Sequence, residues 1–369
     1  MKQRFTYQVM EGDAMAVGRE EARALKRVAP GAIPFFANPL GGNATRLAEA
    51  ESLLKMTDEW CPGLVAEIEG FAKELGTRPE SVVWYTATIP HTGHCSHFAI
   101  LPDRTASGSV ICGRSYEWSL EDEFTLRTVR VRGHYGHTGF GVFIFGRYDG
   151  INEKGLWVSM SAGNPRPDRP LPSNRGFRFW ALLRTILDRA ANVEEAIEIA
   201  SSFPLAFELN MIVADRGGHA ALIEKGPDAQ SIKRADSGIL FSTNHFALPG
   251  TRDGQPDIFA HSDVRARYLA KSLAEGKLST EDARRILSAR MPDGVVAHYY
   301  KDYFGTLWSA YADLSAGTFN VCFGAPDVAG NDFRPFSPGD PVGMTEYYAE
   351  LPDETAPVET WARIPRAAD

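Results

Sequence analysis

The sequence predicts an α+β fold built in layers. Three observations carry this reading. The first third of the chain places Glu, Arg, Ala and Leu at helical spacing. After residue 95 the pattern changes to short β-branched and aromatic runs bounded by Pro, Gly and Asp. Further on, such runs come in blocks separated by pairs of helical segments, which is not the strict alternation of a βαβ chain. Two sheets packed together with helices outside would use this order well.

Taken in order, residues 19–28 and 43–56 are predicted helices, the second with Leu47, Ala50, Leu53 and Leu54 on one face. Pro62 can open a third helix that runs to Leu75, with Gly76 closing it. Residues 81–88 are rich in Val, Trp and Tyr and are expected to form a strand. Strands follow at 98–101, 109–113, 124–132, 140–145 and 156–160. Two helices are expected over 177–190 and 193–201, then strands at 209–214, 220–224 and 239–242. Helices fit 262–274 and 280–289, and a last strand fits 318–323.

The 369 residues suffice for one large domain or two ordinary ones, and 44% hydrophobic with 23% charged residues allows a sizeable core. A net charge of −8 argues against a nucleic-acid partner. No stretch reaches the roughly 18 apolar residues of a membrane span. The N-terminus has no apolar core of signal-peptide length, and the last residues match no common sorting signal. A cytoplasmic protein is therefore expected. Cys61, Cys95, Cys112 and Cys322 lie far apart with no paired spacing, which fits reduced thiols.

The densest chemical cluster is His91-Thr92-Gly93-His94-Cys95-Ser96-His97. It places a thiol at the start of a strand, just after a Gly that permits unusual backbone angles. A thiolate is a good nucleophile, and nearby cations lower its pKa. Alone, such a Cys reads more readily as a buried small residue at a strand end. Two more segments add weight. Cys112-Gly113-Arg114-Ser115-Tyr116-Glu117-Trp118 follows at hairpin distance, so Arg114 and Glu117 are expected beside Cys95. Asn244, in Ser242-Thr243-Asn244-His245, ends an apolar strand where an amide can face a developing oxyanion. The plain alternatives are a surface ion pair and a turn-forming Asn.

Together these segments resemble the acyl-coenzyme A:isopenicillin N acyltransferase family and its relatives, the choloylglycine hydrolases and acid-ceramidase-like amidases. Gly150-Ile151-Asn152-Glu153-Lys154-Gly155-Leu156, the stretches 210–215 and 221–224, and Thr306-Leu307-Trp308-Ser309 extend the match in the family's order, over about residues 10–325. The resemblance implies a four-layer αββα N-terminal-nucleophile (Ntn) hydrolase sandwich and a cut between His94 and Cys95. Residues 1–94 would become a small helical subunit that stays as a partner, and 95–369 the catalytic region. A freed α-amino group, with a pKa near 8, could act as base for the thiol on the same residue. The reaction would cleave an amide or transfer its acyl group, with no cofactor.

By position in the family, Cys95 is the nucleophile, Glu117 stands where an Asp holds the amino group, and Asn244 is the oxyanion Asn. Arg114 matches the bile-salt hydrolase branch, and Asn164 stands near another site Asn. The family's late Arg is not assigned. Two departures stand out: His94 replaces a small residue, and Glu117 is one methylene longer than Asp. The expected partner is a small-molecule amide or acyl donor, and self-association is left open. Penicillin-like, bile-salt-like, N-acyl-amino-acid and peptide amides all fit.

Two other readings compete. His91, His94 and His97, with Cys95 between them and His134 and His137 downstream, have residue types that suit zinc. On a strand or loop, however, this spacing does not put three imidazoles on one face. The third reading is a relative that binds an acyl compound without cleaving it.

Overall fold

A computed structural model describes residues 1–88, 94–142, 144–164 and 176–366. The chain opens with a strand, β1 (Lys2–Gly12), where Phe5, Tyr7 and Val9 alternate into the core. Four helices and a one-turn helix follow: α1 (Ala14–Val28), α2 (Pro34–Ala37), α3 (Ala44–Trp60), α4 (Leu64–Leu75) and α5 (Pro79–Thr88). Side chains hold their starts. Asp13 accepts from the Ala16 N–H, and Asn43 accepts from Thr45 and Arg46. Gly76 closes α4 in the left-handed conformation (φ 72°).

Helices α1 and α4 cross at backbone distance. A Cβ on Gly18 would lie 1.9 Å from the Glu67 carbonyl oxygen, and one on Gly70 would lie 2.2 Å from that of Met15. Only glycine fits either position.

The middle of the chain is largely strands: β2 (His94–Ile100), β3 (Ile111–Trp118), β4 (Thr125–Val131), β5 (His137–Val142), β6 (Gly146–Arg147), β7 (Asp149–Asn152) and β8 (Leu156–Ala162). Helices α6 (Phe179–Arg189) and α7 (Val193–Ser202) come next. Then follow β9 (Leu209–Asp215), β10 (Ala220–Lys225), β11 (Gln230–Ala235), β12 (Ile239–Ser242) and β13 (Asp257–Phe259). The rest comprises α8 (Ala260–Ser272), α9 (Thr280–Ser288), β14 (His298–Tyr299), β15 (Phe304–Asp313), β16 (Phe319–Phe323), β17 (Phe333–Phe336), β18 (Gly343–Glu350) and β19 (Arg363–Pro365).

Among the described residues the larger sheet runs β11-β10-β9-β8-β7-β5-β4-β1-β18, with β6 beside β5. The smaller runs β12-β2-β3-β15-β16-β17, with β14 beside β15. The two pack face to face. Trp308 on β15 stacks on Phe140 of β5 at 3.8 Å and donates to Asp149 of β7 at 3.1 Å. His97 of β2 meets Ser159 of β8 at 2.9 Å. Helices cover the outer faces. On the larger sheet, Asn152 donates to the carbonyls of Leu187 and Ala190 at the end of α6. On the smaller, Phe98, Ile100 and Ile111 pack with Leu269 of α8 and Ile286 and Leu287 of α9. The layers are therefore α, β, β, α, as the resemblance implied.

Two expectations are corrected. Residues 81–88 form part of α5, not a strand. Pro79 presets the first turn, and packing of α5 against α3 and α4 overrides the β preference of Val82, Val83, Trp84 and Tyr85. The segment before Cys95 is also not purely helical, because β1 lies between β4 and β18 inside the larger sheet. The strand expected at 140–145 is β5, ending at Val142, and residue 143 lies outside the described residues. All four cysteines are buried and free. Among the described residues no helix is long and apolar enough to cross a membrane.

A buried ionic cluster fastens α4 to α6, with α1 beside it. Arg184 of α6 pairs with Glu67 of α4 at 2.5 Å and with Asp188 at 2.8 Å. Glu21 of α1 lies beside them, 1% exposed, and neither carboxyl oxygen has a hydrogen-bond partner. Burial, then the charge of Glu67, pushes its pKa from 4.5 up to about 8, against the pull of Arg127, Arg184 and Arg147. A raised carboxyl pKa contributes stability that is full below the unfolded value and lost as pH rises through the folded one. Glu21→Gln should therefore raise the melting temperature clearly above about pH 8 and hardly at all near pH 5. Thermal melts of both proteins at the two pH values test this, and an equal shift at both would show that charge is not the cause.

Candidate active site

Strand β2 carries Cys95 and β3 lies beside it, with Cys95 opposite Tyr116, His97 opposite Arg114, and His94 opposite Glu117. Paired residues of an antiparallel ladder share a face. Cys95, His97 and Arg114 therefore point into the gap between the sheets, whereas His94, Ser96 and Glu117 point toward α8.

On the inner face, Arg114 Nη2 lies 3.4 Å from Cys95 Sγ, and its Nε pairs with Asp149 at 2.5 Å. Its Nη1 donates to the Met160 carbonyl. This arginine is fully buried and its aim is fixed by two anchors on the opposite sheet. Burial pushes the Cys95 thiol up to about 12, with Arg114 and Arg265 pulling down and Glu117 pushing up. The sulfur is thus held as a thiol.

On the outer face stands a residue that sequence reasoning did not locate. Arg265, on α8, is fully buried. Its Nη1 donates to the Cys95 carbonyl at 2.7 Å and to Ser96 Oγ at 3.0 Å, and lies 3.3 Å from Glu117 Oε2. Its Nη2 donates to Asn244 Oδ1 at 2.7 Å and to His261 Nδ1 at 2.8 Å. Glu117 also accepts from Ser115 Oγ and, at 3.3 Å, from Thr306 Oγ1. Burial nevertheless raises its pKa to about 7, against Arg265, Ser115 and Arg114. The hairpin thus brings both expected residues to Cys95, Arg114 to its sulfur and Glu117, through Arg265, to its backbone.

Asn244 completes the arrangement. Strand β12 pairs with β2 up to Ser242 opposite His97, so the same register would place residue 244 opposite Cys95. The ladder stops short, and the Asn244 side chain takes its place: Oδ1 accepts the Cys95 N–H at 2.9 Å and Nδ2 donates to the Ala162 carbonyl at 3.1 Å. Two donors at Oδ1 and an acceptor at Nδ2 fix the amide orientation. Ser262 Oγ accepts the Asn244 N–H at 2.8 Å. Asn164 is placed elsewhere. It donates to the Asp257 carbonyl and accepts from Arg363, both at 2.9 Å, two residues beyond the Ala162 that anchors Asn244.

For the zinc reading, His91 lies outside the described residues. His94 and His97 point to opposite faces of β2, and His137 sits 3.2 Å from Asp188 at the end of α6. Among the described residues no group of three or more His, Cys, Asp or Glu could hold a metal.

The model of the acyl-coenzyme A:6-aminopenicillanic acid acyl-transferase family matches residues 104–328, more than half of the chain. The chain belongs to this family. The matched span holds Arg114, Glu117, Asn164, Asn244 and Arg265, and begins after Cys95. The resemblance read from the motifs is thereby borne out, and the chemistry is that of an acyl-transferring enzyme. Similar solved structures include penicillin V acylase from Agrobacterium tumefaciens (16% identity, covering 62% of this chain and 83% of that one, TM-score 0.40). Another is a mutant of conjugated bile acid hydrolase from Clostridium perfringens (13% identity, 72% and 99% covered, TM-score 0.41). None of the curated proteins gives a significant match.

Proposed function

We propose that this acyl-transferase family member is a cysteine Ntn amidohydrolase or acyltransferase that matures by self-cleavage between His94 and Cys95. The observation that carries this is the hydrogen bond from the Cys95 N–H to the Asn244 side chain. From His97 to Ile100, β2 pairs with β12 residue by residue. At Cys95 a side chain takes over, so this nitrogen can change from amide to amine without that ladder being torn.

The chemistry follows from the groups around it. Cys95 Sγ adds to the His94 carbonyl carbon, and the C–N bond breaks. The nitrogen keeps the bonding electrons and takes the thiol proton, becoming an amino group. Water then splits the thioester, leaving a carboxylic acid on His94 and returning a proton to sulfur. In later turnovers the amino group, with an ordinary pKa near 8, serves as base for the thiol it sits on. Asn244 Oδ1 would orient that amine, Arg114 would stabilise the thiolate, and Arg265 would hold the Cys95 carbonyl in place. A substrate amide passes through the same two acyl steps, and release to water or to an amine decides between hydrolase and transferase.

Intact mass spectrometry tests the proposal. Wild type should give two polypeptides whose masses add up to the chain plus one water, and Cys95→Ala should stay whole. A wild-type protein that is whole as purified and after long incubation would rule out self-cleavage. It would favour a second reading, an uncut protein that binds an acyl compound, which the burial of the His94 side chain also supports.

A further inference from the structure

His94 departs from the small residue usual before the nucleophile, and the fold has made room for it. Its imidazole is 4% exposed and lies in a nest of rings. His261 is 4.7 Å away between centroids, Phe304 and Trp361 are both 5.3 Å, Trp118 is 6.0 Å and Phe259 is 6.2 Å. The nest is built from four separate parts of the chain. Trp118 comes from β3, Phe304 from β15, and Phe259 and His261 from the junction where β13 runs into α8. Trp361 comes from the C-terminal segment, which is pinned where β19 pairs with β13. Arg363 caps this wall, 4.1 Å over the Phe259 ring. Burial keeps His261 neutral, well below its usual pKa, and its Nδ1 is taken by Arg265. The nest is therefore flat-walled and suited to an uncharged ring.

In self-cleavage His94 is the acyl group. Its carbonyl is the one Cys95 attacks, so whatever holds the His94 side chain is an acyl pocket in use. When the bond opens and His94 moves away, that pocket is left next to the freed Cys95 nitrogen, on the α8 face of β2. We infer that the ring nest is the acyl pocket of the mature enzyme and that its substrates are amides of 3-arylpropanoic acids, with a flat ring two carbons from the carbonyl as in His94. This rests on the self-cleavage reading and adds the substrate class. Transfer follows the balance already given: the arylpropanoyl carbon passes from nitrogen to sulfur, the amine leaves with the thiol proton, and water releases the acid.

The test compares 3-phenylpropanoyl and straight-chain acyl 4-nitroanilides of equal carbon count on the cut wild-type enzyme. Ring pairs of this kind attract one another beyond what the area they bury supplies. The aryl substrate should therefore lead in kcat/KM by about tenfold or more, since ~1.4 kcal/mol is a factor of ten. Trp361→Ala should shrink that ratio while the rate of Cys95 alkylation holds. A straight chain that is cleaved equally well, or a ratio that Trp361→Ala leaves alone, overturns the inference. Failure of the parent reading looks different: no cut and no turnover. The pocket is then judged by calorimetry on His94→Gly, which empties the nest whether or not the chain is cut. Binding of 3-phenylpropanoate well above the straight-chain acid supports the pocket, and equal or absent binding sinks it. Should His94→Gly fail to fold, His94→Ala with the same two acids gives the same decision.

Discussion

Arg265→Ala should lower the unfolding free energy by about 3–5 kcal/mol, the usual cost of removing one partner of a buried ion pair. The change strips Glu117 of its only ion-pair contact among the described residues, and takes the donors from the Cys95 carbonyl and from Asn244 Oδ1. The penalty should depend on pH in a definite sense. Glu117 titrates at about 7 with Arg265 present. Without the cation its pKa rises further, so the loss is largest above that pH and shrinks below it as the carboxyl becomes neutral. Arg265→Lys separates charge from shape. It keeps a cation near Glu117, but a single ammonium cannot serve the Cys95 carbonyl and Asn244 with the geometry of a guanidinium fork. Stability should be largely restored while self-cleavage stays slow. Denaturant melts at two pH values, with a time course of chain cutting, read both effects. An Arg265→Ala protein that melts like wild type would remove Arg265 from any structural or positioning role.

The second large effect is expected at Asn244. Losing one oxyanion donor costs about 10²–10³ in turnover, so Asn244→Ala should fall by about that factor in kcat. The geometry adds a distinction. Oδ1 faces the Cys95 nitrogen and Nδ2 faces the Ala162 carbonyl. Asn244→Asp keeps an acceptor for the Cys95 nitrogen and for Arg265, and deletes the donor. If Asn244 works as a donor to the oxyanion, Asp is as damaging as Ala. If its work is to aim the nucleophile's own nitrogen, Asp retains much of the turnover that Ala loses. Near-normal kcat in Asn244→Ala would take this residue out of the site.

Much of the fold could be read in the sequence, because Asp13, Asn43, Asn192 and Ser279 cap α1, α3, α7 and α9, Gly76 closes α4, and α6 carries a continuous apolar face. The failures have local reasons too. The alternation Phe5, Tyr7, Val9 is a strand signal, but a short one beside a long helical tract. Residues 81–88 carry β-prone side chains that packing against neighbouring helices overrules. In the site, the thiol, its arginine and the amide after β12 were legible from types and spacing. Their faces were not, because the strand was expected only over 109–113; it is the run of β3 to Trp118 that puts 114 and 117, three apart, on opposite sides. Arg265 carried a fainter signal, a basic residue one turn after His261 on the buried side of a helix otherwise rich in charge. The spacing that connects it to Cys95 is 170 residues long and set by the fold alone. Asn164 shows the opposite problem, a motif near the right place whose side chain serves the β13–β19 corner.

Strand β1 lies inside the larger sheet, bonded to β4 on one side and β18 on the other. A cut after residue 94 would therefore not create a removable cap. It would create two chains woven through one another, with the shorter contributing an interior strand of the longer one's sheet. Such a pair should elute from a sizing column as one particle of unchanged size, whatever its state of maturation. It should resist exchange with free fragment, because release means tearing out β1 and the Arg184–Glu67 anchor together. Rebuilding it from separately made pieces would be a second-order reaction, slow when dilute, while the uncut chain folds at a rate independent of its concentration. The order of events is then fixed by topology: the chain must fold first and break afterwards.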